Sequence, residues 1–298
     1  MVRIWQRRRS QEAFSGYLFM FPAILILSVF LVFPILSALI LAFCKVQLLG
    51  EVHYQFTGFK NLLRMMVDER VWIALKNTAE YVAIVVPIQT VLALGLALVL
   101  NTNIKGRKSF RIIFFMPTVT SSAVLTLIFM WIYNADGLLN HFLAFLKLPT
   151  YNWLGDPAIA LKGIMLMNIW STAPFFMVIY LAALQEISPS LYEAAQIDGV
   201  NRWEQFFYIT LPSLNPVTFF VIVMGIIGTF QLFDQSYIFS GGSGGPNNST
   251  LTLVLLIYNY AFSNLDMGYA LALTLMLAGI IMTATLLQRT LFREEQVH

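Results

Sequence analysis

Only one cysteine, Cys44, and three histidines, His53, His141 and His298, occur in 298 residues, and none of them pair at the spacing of a metal-ligand set. Metal and redox chemistry find little support, and no metal ligand is assigned. A GxxxxGK[ST] loop is missing too, so the chain holds no nucleotide through a P-loop of its own. Any energy source has to come from a partner or an ion gradient. Charge is equally sparse: Asp, Glu, Lys and Arg make up 11% of the residues against 58% hydrophobic, too little polar surface to cover a globule in water. A water-soluble fold is excluded.

What the sequence has in abundance is apolar length. A helix needs roughly 20 residues to cross about 30 Å of hydrocarbon, and six stretches qualify: residues 17–43, 78–100, 112–133, 162–184, 216–239 and 266–288. They lack period-2 alternation, which favours helices over a barrel, the other structure that satisfies its backbone in lipid. The expected fold class is all-α integral membrane, six transmembrane helices in a single domain over residues 1–298. Because the first span follows Arg7, Arg8 and Arg9, a cleaved signal peptide is the alternative; Pro22 and Pro34 inside it and the want of a small-residue cleavage site read as a retained span.

Six spans put both termini on one side. Arg3, Arg7, Arg8, Arg9, Lys105, Arg107, Lys108, Arg111, Arg202, Arg289 and Arg293 fall there, against Lys45, Lys60, Arg64, Arg70, Lys76, Lys147 and Lys162 opposite. The short loop NTNIKGRKSFR weighs most, and the termini are expected in the cytoplasm. This asymmetry accounts for the net charge of +3, which calls for no nucleic acid.

Between the fourth and fifth spans the chain turns polar, as SPSLYEAAQIDGVNRWEQFFYITLPSLNP. Ser188 before Pro189 suits the start of a short helix with Leu191, Ala194 and Ala195 on one face. The pair Asp198-Gly199 ends it, since Gly takes a left-handed conformation without steric penalty. Trp203, Phe206, Phe207 and Ile209 make a second apolar segment, stopped by Pro212 and Pro216. By patterning alone this is a loop folded onto its own bundle. The spacing also fills every fixed position of EAA-x3-G-x9-I-x-LP, with Glu193, Ala194, Ala195, Gly199, Ile209, Leu211 and Pro212.

In that stretch the chain resembles the permeases of binding-protein-dependent ABC importers of type I architecture, whose EAA loop, here residues 188–215, forms coupling helices that dock in a groove of a cytoplasmic ATPase. Asp198 before the glycine is similar to the carbohydrate branch. So are GFKNL near Gly58, FMPTVTS at 115–121, GLLN at 137–140 and GGPNNSTLTLVLLIYNYAF ahead of the last span. The GGP ending at Pro246 resembles the larger of the two maltose permeases, although the extra N-terminal spans and large periplasmic insertion of that subunit are not seen in this sequence.

The resemblance implies a non-catalytic, multi-pass pore subunit of the bacterial inner membrane, working by alternating access. Its partners would be a second, homologous permease in a heterodimer, two ATPase subunits that hold the ATP and Mg, and a periplasmic solute-binding protein. This chain would bind no cofactor, and its solute would be a sugar or a related polyol or glycoside. An amino acid, peptide or metal is the other solute class. An ion-coupled carrier or a membrane enzyme is the other mechanism, but it needs a buried ionisable relay, and only Glu80 and Asp234 are acids near the membrane.

Polar groups at membrane depth are costly unless they face a cavity or another helix. Asn168, Thr172 and Phe175 lie at i, i+4 and i+7 of the fourth span; Gly225, Thr229 and Leu232 repeat the spacing in the fifth, flanked by Gln231, Asp234 and Gln235. Thr118, Thr120, Ser121 and Ser122 surround Pro117 in the third, where helical hydrogen bonding can be interrupted. Amides, hydroxyls and aromatic faces suit a sugar. Plainer readings stand beside this one: Ser121 and Thr172 as interhelical hydrogen bonds of about 0.6 kcal/mol each, and Asp234 as an ion-pair partner of Lys162. By resemblance, the positions of Asn168, Thr172, Phe175, Gly225, Thr229 and Leu232 line the sugar site of the maltose-type permease. Outside the membrane, GFKNLLRMMVDERVWIALKNT reads as one amphipathic surface helix, with Leu62, Leu63, Met66 and Ile73 on its apolar face. It is either a membrane-surface element or a docking site for a soluble binding protein. The loop SGGSGGPNNST, residues 240–250, reads as a flexible connection.

Overall fold

The computed structural model describes residues 16–47 and 53–294; Arg3, Arg7, Arg8, Arg9 and His298 lie outside the described residues. The described chain divides into two compact units, one running up to Met65 and including Tyr260–Leu275, the other made of Met66–Asn259 and the residues from Met276 onward.

In the first unit, helix α1 (Gly16–Leu41) is apolar, and its most apolar stretch buries nothing among the described residues. An exposed stretch with no polar face is at home only against lipid or a partner. An antiparallel ribbon of β1 (Cys44–Gln47) and β2 (His53–Phe56) follows, with Cys44 opposite Phe56, a small departure from the expected all-helical chain. Asn61 Nδ2, on α2 (Lys60–Val67), donates to the carbonyls of Ala42 and Cys44 at 2.8 and 3.0 Å. A side chain at Gly268 would place its Cβ 2.1 Å from the Cys44 carbonyl oxygen, so this close approach requires glycine. Arg64 Nη1 donates to Asp266 Oδ2 at 2.6 Å while its guanidinium lies 3.9 Å from the centre of the Tyr269 ring. Partial burial opposes the Arg64 charge, but the hydrogen bond and the charge of Asp266 prevail and hold its pKa above the ordinary value.

The second unit is built on α3 (Glu69–Asn101) and α7 (Ala160–Glu186). Lipid tails are as apolar as leucine, so such helices associate through close packing rather than the hydrophobic effect. Small Ala93, Ala97 and Ala173 are fully buried and let Met177 and Tyr180 interlock with Leu100, Leu214 and Val221. A second cluster joins Tyr81 and Val85 to Ile164, Met167, Leu232 and Phe239, with Tyr133 donating its hydroxyl to the Gly163 carbonyl at 3.0 Å.

The second span starts earlier than its expected boundary at residue 78. Asp68 caps it by accepting from the Arg70 N–H at 3.0 Å, and no breaker lies between Glu69 and Thr78. The single surface helix expected over this stretch is therefore two helices meeting at Asp68, with Met65 rather than Leu63 or Met66 as its buried contact.

The third span differs more. It is two helices, α4 (Arg107–Val119) and α5 (Ser122–Ile132), bent by 100° at the residues between them. Pro117 removes a donor from the last turn of α4, and Thr120 and Ser121 take extended backbone, with ψ of 140° and 134°. Counting the bent pair as one span, six candidate spans are present among the described residues, the others being α1, α3, α7, Asn215–Ser240 and the segment Met267–Thr290 of the last helix.

The elements between α5 and the last helix, α7 apart, are shorter. Helix α6 (Leu138–Phe145) precedes α7; α8 (Pro189–Ile197) and α9 (Arg202–Gln205) follow it; then come α10 (Asn215–Phe230), α11 (Asp234–Ser240) and α12 (Leu253–Tyr258). The last helix, α13, spans Met267–Glu294, and its Gln288 Nε2 donates to the Phe219 carbonyl at 3.1 Å. The glycine-rich loop is tied down rather than loose. Thr250 is fully buried and donates to the Gly245 carbonyl at 2.8 Å, Ser236 donates to the Thr250 carbonyl, and Asn77 Nδ2 reaches the carbonyls of Asn248 and Leu251 at 2.8 and 3.0 Å.

Candidate functional site: a neutral polar cavity and an exposed helical loop

A cavity of about 310 Å³ opens among α3, α7, α10 and the break between α4 and α5. The break contributes because its backbone and hydroxyls have left the helical ladder, and irregular backbone is tolerated at membrane depth where it lines a cavity. Thr118 Oγ1 donates to the Ser171 carbonyl on α7 at 3.3 Å, and Thr120 Oγ1 to the Met116 carbonyl at 3.1 Å. Helix α7 supplies Asn168, Ser171, Thr172 and Phe175; α10 supplies Gly225 and Thr229; α11 supplies Gln235.

At the centre stands Gln89 of α3, 1% exposed. Its Oε1 lies 2.8 Å from Thr172 Oγ1, which is also 2.7 Å from the Asn168 carbonyl, so one hydroxyl proton serves two acceptors. Gln89 Nε2 is buried and has no acceptor among the described residues, and a Cβ at Gly225 would sit 2.7 Å from it. Ser122 Oγ, on the same cavity, is likewise buried without a partner. Thr229 instead turns inward on its own helix, donating to the Gly225 carbonyl at 2.7 Å. No residue lining the cavity carries a charge. The site can offer neutral donors and acceptors and the faces of Phe175 and Phe176, and nothing that would neutralise an ion.

Of the candidate residues, Asn168, Thr172, Phe175, Gly225 and Thr229 come together on this cavity. Leu232 does not: α10 ends at Phe230, the chain runs irregularly through Gln231–Phe233, and the i, i+4, i+7 stripe is lost before Leu232, which packs in the core beside Tyr81. Gln231 and Asp234 are exposed and off the cavity, and among the described residues Asp234 forms no ion pair with Lys162. Ser121 starts α5 with its side chain exposed, while the neighbouring Ser122 faces the cavity. Sequence reasoning missed Gln89, although a glutamine in the middle of VPIQTVLALG is a signal of its own, as a polar side chain inside an apolar span.

The polar segment between α7 and α10 forms α8, a turn, and α9 continuing through a π turn (Phe206–Thr210) and Leu211–Ser213. Its turn explains the spacing of Ala195 and Gly199. Gly199 has φ of +79°, its N–H donates to the Gln196 carbonyl at 3.2 Å, and the Val200 N–H donates to the Ala195 carbonyl at 2.9 Å, the paired bonds of a Schellman motif with Asp198 as C-cap. Asn201 and Glu204 then close a capping box around the start of α9, which the N-x-x-E spacing could have disclosed. Tyr192 and Thr210 hydroxyls meet at 2.9 Å and tie the two helices together. Ala195, Ile209 and Leu211 turn inward, whereas Glu193, Ala194 and Pro212 are exposed, beside Ile197, Trp203 and Tyr208, each more than three-quarters exposed.

Residues 89–295 match the family of binding-protein-dependent transport system inner membrane components. The chain is 40% identical over 276 residues to the lactose transport system permease protein LacF of Rhizobium radiobacter, covering 91% of each. It is 32% identical to the trehalose/maltose transport system permease protein MalF of Thermococcus litoralis, over 93% of this chain and 92% of that protein. Its fold is similar to that of a chain in the crystal structure of a bacterial ABC transporter that imports the acidic polysaccharide alginate, with a TM-score of 0.83 at 23% identity over 98% of this chain and 99% of that one. The chain belongs to the family of binding-protein-dependent transport system inner membrane components.

Proposed function

We propose that the chain is the pore subunit of an ATP-driven importer and that the cavity carries a neutral sugar, or a related polyol or glycoside, across the membrane. The observation that supports the solute class is the lining itself: amides, hydroxyls and aromatic faces at membrane depth without a single charge. An ionic solute taken from water would need a compensating charge there. The sugar permeases among its relatives point the same way. Gln89 Nε2 and Ser122 Oγ, buried and unpartnered, are groups a solute hydroxyl can satisfy as it passes.

The remainder of the machine follows the same reading. The polar segment around Glu193–Gly199 is the coupling element, its rigid turn and exposed Ile197 and Trp203 seated in a groove of an ATPase subunit that holds ATP and Mg. A second homologous permease completes the pore, and a solute-binding protein delivers the sugar from the side opposite the termini, which face the cytoplasm. One of the solved structures similar in fold is a complex with a periplasmic protein bound to an alginate pentasaccharide. Co-purification with candidate partners, followed by ATPase assays across a panel of neutral and charged sugars, tests the proposal. Stimulation by a neutral sugar with its binding protein is expected; stimulation by charged solutes alone overturns the solute class.

A further inference from the structure

A second polar site lies away from the cavity, where two arginines converge on an uncharged partner. Arg107 and Arg111 stand one turn apart on α4, and Gln185, in the last turn of α7, accepts from Arg107 Nη2 at 2.9 Å and from Arg111 Nη2 at 3.1 Å through its amide oxygen, in the amide orientation that satisfies both. Two positive charges thus share one neutral acceptor. Neither arginine makes an ion pair among the described residues, and Glu186, next to Gln185 in sequence, is exposed and pairs with neither. The Nε of both arginines is enclosed by protein without an acceptor.

The helix sharpens the imbalance. No acid lies in the first turn of α4 and no side chain caps it at Gly106, although that end of a helix favours negative charge. Lys105 and Lys108, both exposed, add to the same spot. Immediately beyond Arg111 the helix bares Ile112, Ile113 and Met116, so the cations sit at the edge of an apolar band. At that boundary the anion a membrane supplies is a lipid phosphate, which the guanidinium fork matches in shape as well as charge.

We propose that Arg107 and Arg111, held by Gln185 and assisted by Lys108, bind the phosphate of an anionic phospholipid headgroup, in the cytoplasmic leaflet on the orientation proposed above. The test uses the purified full chain, with retained phosphatidylglycerol and phosphatidylcholine counted by native mass spectrometry after exchange from mixed vesicles. Wild type is expected to retain phosphatidylglycerol in preference by roughly tenfold, the scale of one charge-assisted contact. The double variant Arg107→Gln/Arg111→Gln should lose the preference. So should Gln185→Glu, which places a carboxylate between the guanidiniums and keeps them folded in place, whereas Arg289→Gln, an exposed cation elsewhere, should retain it. Equal retention of both lipids by wild type, or an undiminished preference in Gln185→Glu, overturns the proposal. Displacement of the lipid by millimolar inorganic phosphate would assign the site to free phosphate and overturn the lipid assignment. None of these readouts involves transport, so their failure leaves the transport reading untouched.

Discussion

Gly225→Ala is the sharpest probe of the cavity, because its consequence can be worked from two distances. The new Cβ would stand 2.7 Å from Gln89 Nε2 and 3.5 Å from Val86 Cγ1, where ordinary contact begins at 3.4 Å. Val86 can stay, but the Gln89 amide must retreat by roughly 0.7 Å. The amide is not free to do so, since its Oε1 is bonded to Thr172 Oγ1 at 2.8 Å. Losing that bond costs about 0.5–1.5 kcal/mol, and overpacking a fitted site about 1–3 kcal/mol, so the half-saturating solute concentration should rise by at least about tenfold. The assay is uptake by the assembled transporter in proteoliposomes. Gln89→Ala alone should also weaken uptake, yet in the Gly225→Ala background it removes the clashing atom and should add little. An unchanged half-saturation in Gly225→Ala, or full additivity of the two changes, would refute the placement of Gln89 in the pathway.

Asn168→Ala should lower uptake several-fold with basal ATP hydrolysis intact, whereas Gln231→Ala, on an exposed residue off the cavity, should behave like wild type in the same uptake assay. Gly199→Leu places a side chain at φ of +79°, costing about 1–2 kcal/mol locally, and it and Glu193→Lys should each abolish transport and weaken ATPase co-purification while membrane insertion stays normal; wild-type transport in both variants would remove the coupling assignment. Gly268→Ala drives a Cβ into the Cys44 carbonyl and should lower the thermal midpoint of the purified chain by several degrees, with no change in midpoint counting against the close packing of the ribbon. Membrane-impermeant thiol labelling from outside should reach cysteines introduced at 240–250 and miss those at 101–108, the reverse pattern inverting the proposed orientation.

Much of the architecture was readable because a membrane imposes length. Spans of uninterrupted apolar residues have few alternatives to a helix, and α7 was placed to within two residues at each end. Boundaries failed where hydropathy and helicity part company. Capped by Asp68, α3 starts nine residues before the apolar run begins, since Glu69, Arg70 and Lys76 are good helix formers whatever their polarity. Pro117 foreshadows the bend at Val119–Ser122, but nothing local discloses its 100° angle or the contact beside it, Thr118 with the Ser171 carbonyl 53 residues on.

The two sites were legible to different depths for a physical reason. The turn at Gly199 is local: the bonds that shape it lie within the stretch Ala194–Val200, so a pattern of residue types suffices to specify it. The cavity is made by juxtaposition. A stripe at i, i+4 and i+7 finds Asn168, Thr172 and Phe175, since α7 is continuous through them, but the same rule applied to α10 overruns its end and carries Leu232 into a site it does not reach. Gln89 has no partner within its own helix; its meaning arises only when Thr172 and Gly225 are brought to it from two others. A glycine facing a buried amide is a pairing in space, and it is there, rather than along either helix, that the shape available to a solute is decided.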